Sequence, residues 1–107
     1  MSKNMKIINF GEIDEEEAAF LEEQGKLLAS LILAGKRRIF LNTKNGPADI
    51  FGKYKKLTTS HLTLLMVDDG DEESPYLFFY YIKIGNRQFI AHKHTLIKPY
   101  ITITEVL

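Results

Sequence analysis

The chain has 107 residues, a hydrophobic fraction of 45%, no cysteine and a formal net charge of zero. This length suits one domain, and the apolar fraction is enough for one core and too high for a disordered chain. The absence of cysteine excludes disulfides, thiolate metal sites and cysteine nucleophiles. Because small secreted domains often need disulfides, a cytoplasmic location is expected. No stretch has the length and apolarity of a membrane span, so no membrane partner is expected.

The charge is unevenly distributed along the chain. Residues 1–34 carry three lysines against seven carboxylates, and residues 35–107 carry eleven basic residues against seven acidic ones. Between Lys36 and Val67 there are seven basic residues and one acidic residue, Asp49. Such a basic zone attracts phosphate even in a neutral chain. A solvated surface produces the same pattern, so both interpretations stay open.

A helix is predicted over residues 14–34. Asp14 suits the N-cap, and Glu17 three residues later completes a capping box. Gly35 suits the C-cap, whereas Gly25 is expected to weaken the middle of the helix. The apolar residues at helical spacing should form the side that packs on the rest of the domain, and we expect this side to contain Leu21, Leu28, Leu31 and Ile32.

After the helix the apolar period changes to two, which is typical of β-strands. Strands are predicted at 38–44, 48–57, 61–67, 76–84, 87–92 and within 97–106. An Asn45-Gly46 hairpin turn should join the first two strands, and Gly52 should mark a sharp bend in the second. Gly85-Asn86 predicts a further turn, and Pro99 confines the last strand to an edge or begins it. An acidic loop is expected over 68–75.

These elements predict one α+β domain spanning residues 1–107. Its N-terminal helix, at about 14–34, precedes a small, strongly bent antiparallel β-barrel of five or six strands at about 38–106. The strands must be antiparallel because their connections are too short for parallel crossovers. One helix cannot cover both faces of an open sheet, so bending or closure is expected to resolve the edges. Strand 76–84 is the most apolar and is expected to supply an edge to a neighbouring subunit.

Two groups of residues match a known pattern. The first comprises Gly52, Tyr54, Leu57, Leu62 and Leu64. The second comprises Ile82, Ile84, Gly85, Asn86, Phe89 and Ile90. With the order of the elements, they resemble the two motifs of the Sm-like family, which includes Sm, LSm and Hfq proteins, over about residues 14–92. The resemblance implies a ring oligomer that binds single-stranded RNA, although Ile84 stands where the family has arginine.

A second alignment to the same family starts from the end of the predicted hairpin. Residues 88–94 are similar to the Hfq signature, which would place Lys93 and His94 at a uridine-binding pore rim. Residues 68–87 would then be an insertion. The two alignments exclude each other, and the first needs no extra hairpin.

The candidate RNA-binding residues offer imidazole, amide or cationic groups at strand ends and turns, where they can contact bases and phosphates. They are His92, Lys93, His94, His61, Asn86, Arg87, Lys53, Lys55 and Lys56. His92 and His94 share one face of a strand and could together ligate a metal ion, but no carboxylate stands at a supporting spacing. No metal or other cofactor is therefore predicted. Half-exposed polar residues at a strand end remain the alternative.

Aromatic residues cluster at 78–81 in the predicted fourth strand. Because side chains alternate across a strand, one pair must face the core, and the other can stack on bases or contact a subunit. No phosphate-binding loop, nucleophile elbow or acid pair is present, and Ser60 and His61 would point apart on a strand, so no catalytic residue and no enzyme is predicted. The alternative to RNA binding is a non-enzymatic protein-interaction module, such as a phage-type inhibitor, whose acidic helix contacts a protein partner.

Overall fold

The computed structural model describes residues 13–41, 44–68, 78–94 and 99–107. Within these residues, two helices and six strands follow in chain order: α1 (Glu15–Leu33), β1 (Arg38–Phe40), α2 (Asp49–Lys53), β2 (Lys56–Thr58), β3 (Thr63–Asp68), β4 (Phe78–Ile84), β5 (Arg87–His94) and β6 (Tyr100–Val106). The α+β class is as predicted. Nearly all of the predicted acidic loop at 68–75 lies outside the described residues.

Helix α1 begins after the predicted N-cap Asp14, but its C-cap is Ala34, and the predicted Gly35 follows it. The Glu17 carboxylate, predicted to complete a capping box, accepts from the Tyr54 hydroxyl instead. The Asp14 carboxylate accepts a hydrogen bond from the Glu17 N–H at 2.8 Å, which satisfies one of the helix's free donors. At the other end Gly35 has a φ of +88°, and its N–H donates to the Ile32 carbonyl at 3.0 Å. Such a positive φ suits glycine, which has no Cβ to clash with the backbone.

The six strands form one antiparallel sheet in the order β1-β6-β5-β4-β3-β2. Strand β6 therefore lies between β1 and β5, and Pro99 directly precedes its first residue. Strand β4 pairs with β3 on one side and β5 on the other. It therefore has no free edge, and the prediction that this strand supplies a subunit edge is wrong.

The sheet is not closed into the predicted barrel. Within the described residues, β1 and β2 are its two outermost strands and do not pair with each other. The chain segment between β1 and β2 contains helix α2, where the sequence predicted a strand at 48–57. A strand there would have paired with β1, but the partner of β1 is β6. The predicted Asn45-Gly46 hairpin is therefore also wrong.

Helix α2 has a local explanation. Ile50 and Phe51 are both buried, and two adjacent residues cannot both face the core from a strand. Tyr54, four residues after Ile50, is buried too, which fits one side of a helix. Gly52 lies inside this helix and does not bend a strand. Asn45 takes a φ of 62°, and its N–H donates to the Asp49 side chain.

The hydrophobic core lies on one side of the sheet, which we call the inner face. Ten strand residues of this face are buried, namely Ile39, Leu57, Leu64, Tyr80, Ile82, Ile84, Phe89, Ala91, Ile101 and Ile103. They form one cluster with Leu21, Leu28 and Ile32 of α1. Leu31, predicted to share that side of the helix, is only half-buried.

Helix α1 and the β2–β3 turn approach each other closely at Gly25. A Cβ added to Gly25 would lie 2.8 Å from the Thr59 Oγ1 atom and 3.0 Å from its methyl carbon. The glycine therefore permits this packing, in addition to the helix-weakening effect expected from sequence. In the described part of the chain, no helix combines the length and apolarity needed to cross a bilayer.

Candidate functional site

The second side of the sheet, which we call the outer face, has a different composition. Residues paired across antiparallel strands point to the same side, so the strand registers define this face. Its positions are Arg38, Phe40, Lys56, Thr58, Thr63, Leu65, Val67, Phe79, Tyr81, Lys83, Gln88, Ile90, His92, His94, Tyr100, Thr102, Thr104 and Val106. Core residues of both helices pack on the opposite side.

A cluster around Tyr100 occupies one corner of the outer face. The His94 and Tyr100 rings stack with their centroids 4.6 Å apart and their planes 15° apart. The Phe40 ring lies 6.1 Å from the Tyr100 ring, and the Arg38 guanidinium lies 4.8 Å from its centroid. The His94 Nε2 atom is 3.0 Å from the Thr102 hydroxyl oxygen. Flat rings and a cation are thus held side by side.

A second aromatic pair continues the row toward the centre of the sheet. Phe79 and His92 face each other across β4 and β5, with ring centroids 5.8 Å apart. Tyr81 follows two residues after Phe79 on the same side of β4 and pairs with Ile90. Of the two aromatic pairs within 78–81, Phe79 and Tyr81 therefore lie on the outer face, and the Tyr80 side chain is buried in the core.

The two faces of the sheet also differ in charge. None of the eighteen outer-face positions defined above is a carboxylate, whereas Arg38, Lys56 and Lys83 are basic. Helix α1, which packs on the inner face, carries five glutamates. The outer face thus presents cations without a carboxylate at its mapped positions, whereas the glutamates of α1 lie on the other side of the sheet together with Lys26 and Lys93.

The structure divides the predicted RNA-binding residues among several places. His92 and His94 lie on the outer face, and Lys56 lies at its β2 edge. Lys93 does not join the histidines, because it pairs with Ile101, whose side chain is buried on the inner face. Of residues 92–94, only the two histidines therefore lie on the outer face, as the alternation of a strand predicts.

Lys53 is also directed away from the outer face. Its Nζ atom lies 3.2 Å from the Glu17 carboxylate, to which the Tyr54 hydroxyl also donates. The hydrogen bonds from Tyr54 and Lys53 lower the pKa of Glu17, and burial together with the Glu17 contact raises the pKa of Tyr54. Lys55 is exposed just before β2. The lysines at 53, 55 and 56 consequently form no single phosphate track.

The turn between β4 and β5 holds two further predicted residues. Gly85 takes a φ of +60°, as the predicted turn requires, and Asn86 is exposed beside it. Arg87 is engaged by Glu105 through two hydrogen bonds of 2.8 and 2.6 Å. These bonds lower the pKa of the Glu105 carboxyl. Arg87 is therefore committed to an ion pair within the chain.

His61 belongs to a polar cluster in the β2–β3 turn. The Glu22 carboxylate of α1 accepts from the Ser60 N–H at 2.9 Å and also contacts the Ser60 hydroxyl and His61 Nδ1. Partial burial would raise the pKa of Glu22, but these bonds lower it overall. An adjoining open cleft of about 250 Å³ is lined by this turn, Lys83 and Gly85.

The Ser60 hydroxyl lies 2.9 Å from His61 Nδ1, contrary to the expectation that the two side chains point apart. They occupy a turn, where the alternation of a strand does not apply. In a serine-protease-type triad the carboxylate and the hydroxyl use opposite nitrogens of the histidine. In this chain Glu22 and Ser60 approach the same nitrogen, an arrangement that suits anchoring of the turn to α1 better than activation of Ser60.

The sequence interpretation missed Arg38, Phe40 and Tyr100 as parts of a site. Their alternation with buried Ile39 and Ile101 was visible in the sequence, but the pairing of β1 with β6 was not.

In the described part of the chain no three or more His, Asp or Glu side chains are grouped so that they could hold a metal ion. Comparisons with models of protein families, with curated proteins and with solved structures found no match.

Proposed function

We propose that this chain binds single-stranded RNA on the outer face of its sheet. The observation that carries the proposal is an open strand surface with aromatic rings, three cations and no carboxylate at its mapped positions. Exposed aromatic residues on a sheet are one of the recurring ways in which proteins bind unpaired bases. The Sm-like relationship stays a prediction, and the proposal does not depend on it.

The rings supply two places for bases. The His94–Tyr100 stack and the Phe79–His92 pair are adjacent on the outer face, and His92 and His94 are separated by two residues along β5, about 6.8 Å. Stacking on an aromatic ring contributes about 1–3 kcal/mol per base and accepts any base. Two neighbouring nucleotides of an extended strand therefore suit this surface.

The cations supply the phosphate contacts. Arg38 and Lys56 lie on the two outermost strands, and Lys83 lies on β4 between them. If all three neutralise phosphates of a single strand, the logarithm of the binding constant should fall with the logarithm of salt concentration with a slope of about −2. An RNA strand would run across the strands of the sheet to reach all three.

The test is a fluorescence-anisotropy titration of a labelled uridine-rich RNA at low salt. Arg38→Ala should weaken binding several-fold, because it removes both a cation and a contact to Tyr100. Arg37→Ala is the matched control: it removes the same charge one residue away, on a side chain whose charge acts on inner-face Glu105. Equal effects of the two variants would reduce the binding to general charge attraction, and no binding by the parent chain would reject the proposal.

Protein binding through α1 is the second candidate function. Phe20 and Leu27 are 40% and 50% exposed on the solvent side of this helix, among its glutamates. Neighbouring exposed apolar side chains can supply the apolar part of a protein contact. This candidate would become the leading one if the RNA titration showed no binding.

A further inference from the structure

We infer that the exposed ridge of α1 docks on the outer face of a second copy of the same chain. The ridge consists of Glu16, Phe20, Glu23 and Leu27. The inference uses the outer face described above but stands whether or not that face binds RNA. It rests on two surfaces of one chain, the ridge and the outer face, which have opposite charges and both expose apolar side chains.

The ridge is defined by helix geometry. Its four residues follow one another at intervals of four, three and four residues, which places them along one side of a helix. All four are exposed, and the core-facing side of α1 contains Leu21, Leu28 and Ile32 instead. Two apolar side chains thus alternate with two carboxylates on the solvent side.

The outer face offers the complementary groups. Apolar Phe40 and Leu65 are 44% and 42% exposed, and Arg38 and Lys83 are exposed cations. Because no mapped outer-face position is a carboxylate, an approaching glutamate meets no like charge from the strands. Opposite surface charges accelerate such an encounter, and apolar contact then stabilises it.

The contact must be head-to-tail. Helix α1 packs on the inner face, so the ridge and the outer face lie on opposite sides of the same sheet. One copy therefore presents its ridge to a second copy, whose own ridge stays free for a third. Such heterologous contacts form rings when the rotation closes and open chains when it does not. A two-fold dimer through either surface alone is not expected.

The contact has a consequence for nucleic-acid binding. Phe20 with Glu16 and Glu23 presents an aromatic ring between negative charges, which is also what a nucleotide presents. The docked ridge and an RNA strand would occupy the same outer-face residues, and each should displace the other. Self-association would then limit the amount of outer face available to RNA.

The test is sedimentation of the full chain at low salt over a range of protein concentrations. The average mass should rise above the monomer value of 12.3 kDa with concentration and should fall again in high salt. A face variant, Arg38→Glu with Lys83→Glu, and a ridge variant, Glu16→Lys with Glu23→Lys, should each stay monomeric. All four positions are exposed, and circular dichroism would confirm that both variants fold.

An equimolar mixture of the two variants tests whether the ridge of one copy contacts the outer face of another. In the mixture, the acidic outer face of the face variant meets the basic ridge of the ridge variant. The ridge of the face variant and the outer face of the ridge variant keep their wild-type charges, so association should return. A parent chain that stays monomeric at millimolar concentration, a ridge variant that still associates, or a mixture that does not would each overturn the inference. RNA titration of the parent chain, at concentrations where sedimentation finds only the monomer, tests the proposed function separately because the outer face is then free and the charge of the chain is unchanged.

Discussion

The inner and outer faces of the sheet are built from the same strands but differ in burial and in the side chains that they expose. Along β4, Tyr80 and Ile82 are at most 3% exposed, whereas Phe79 and Tyr81 on the other side are only half-buried. The inner face is covered by α1 and α2 and contributes most of the burial energy. The outer face contributes less stability and retains rings and cations that can contact a ligand. Substitutions on the two faces should therefore separate stability from binding.

The largest expected difference is between two leucines. Leu28 of α1 is fully buried, whereas Leu65 on the outer face is 42% exposed. Leu28→Ala should lower the free energy of unfolding by about 2–5 kcal/mol because it leaves a cavity. Leu65→Ala removes the same atoms and should cost about 1 kcal/mol or less. Urea unfolding of both variants measures the difference, and similar midpoints would show that the helix does not pack as described.

The next effect compares two helical glycines. A Cβ at Gly25 would meet Thr59 at 2.8 Å, whereas a Cβ at Gly52 would meet nothing within 4 Å. Gly25→Ala should therefore destabilise the chain by about 1–3 kcal/mol through overpacking. Gly52→Ala should leave the stability unchanged or raise it by up to about 1 kcal/mol. Thermal melting distinguishes them, and a stabilised Gly25→Ala protein would contradict the close approach of α1 to the turn.

A smaller effect is the pH dependence of stability that the Glu22 carboxylate contributes. The folded chain lowers the pKa of Glu22, so the contribution of this carboxylate is present above its unfolded pKa and is lost as pH falls through the folded one. The stability of the parent should decline between about pH 5 and pH 3. Glu22→Gln should be less stable near neutral pH and should show a shallower decline. Melting temperatures across that range measure it, with Glu23→Gln on the solvent side as the control.

The smallest stability effect belongs to the outer face. Phe40 is 44% exposed, so Phe40→Ser should change the free energy of unfolding by about 1 kcal/mol or less. If bases stack beside Tyr100, RNA affinity should nevertheless fall about five- to tenfold, in line with the loss of about 1 kcal/mol of stacking. The paired measurements are urea unfolding and anisotropy on one preparation. A variant that unfolds more easily but binds RNA normally would reverse the roles of the two faces.

Local sequence determined the elements whose signals are local. The N-cap of α1 at Asp14, the left-handed glycine after its C-cap, the turn at Gly85 and the strands on either side of that turn follow from nearby residues. The local sequence also contained a signal for helix α2, because Ile50, Phe51 and Tyr54 follow helical spacing. That signal competes with Gly52 and the preceding Asn45-Gly46, which favour a bent strand after a hairpin and led to the wrong prediction.

The tertiary structure alone decided which distant residues meet. Arg38 and Phe40 join Tyr100 because β1 pairs with β6, about sixty residues further along the chain. The same pairing leaves the sheet unclosed and, through β6, places Arg38 and Phe40 on the same face as His92 and His94. Composition along the chain shows the charge imbalance, but only the packing of α1 on the inner face places its glutamates on the side opposite to Arg38, Lys56 and Lys83. Hydrophobic periodicity specifies which residues are buried, and strand order, which depends on contacts between remote segments, specifies what the exposed ones can form together.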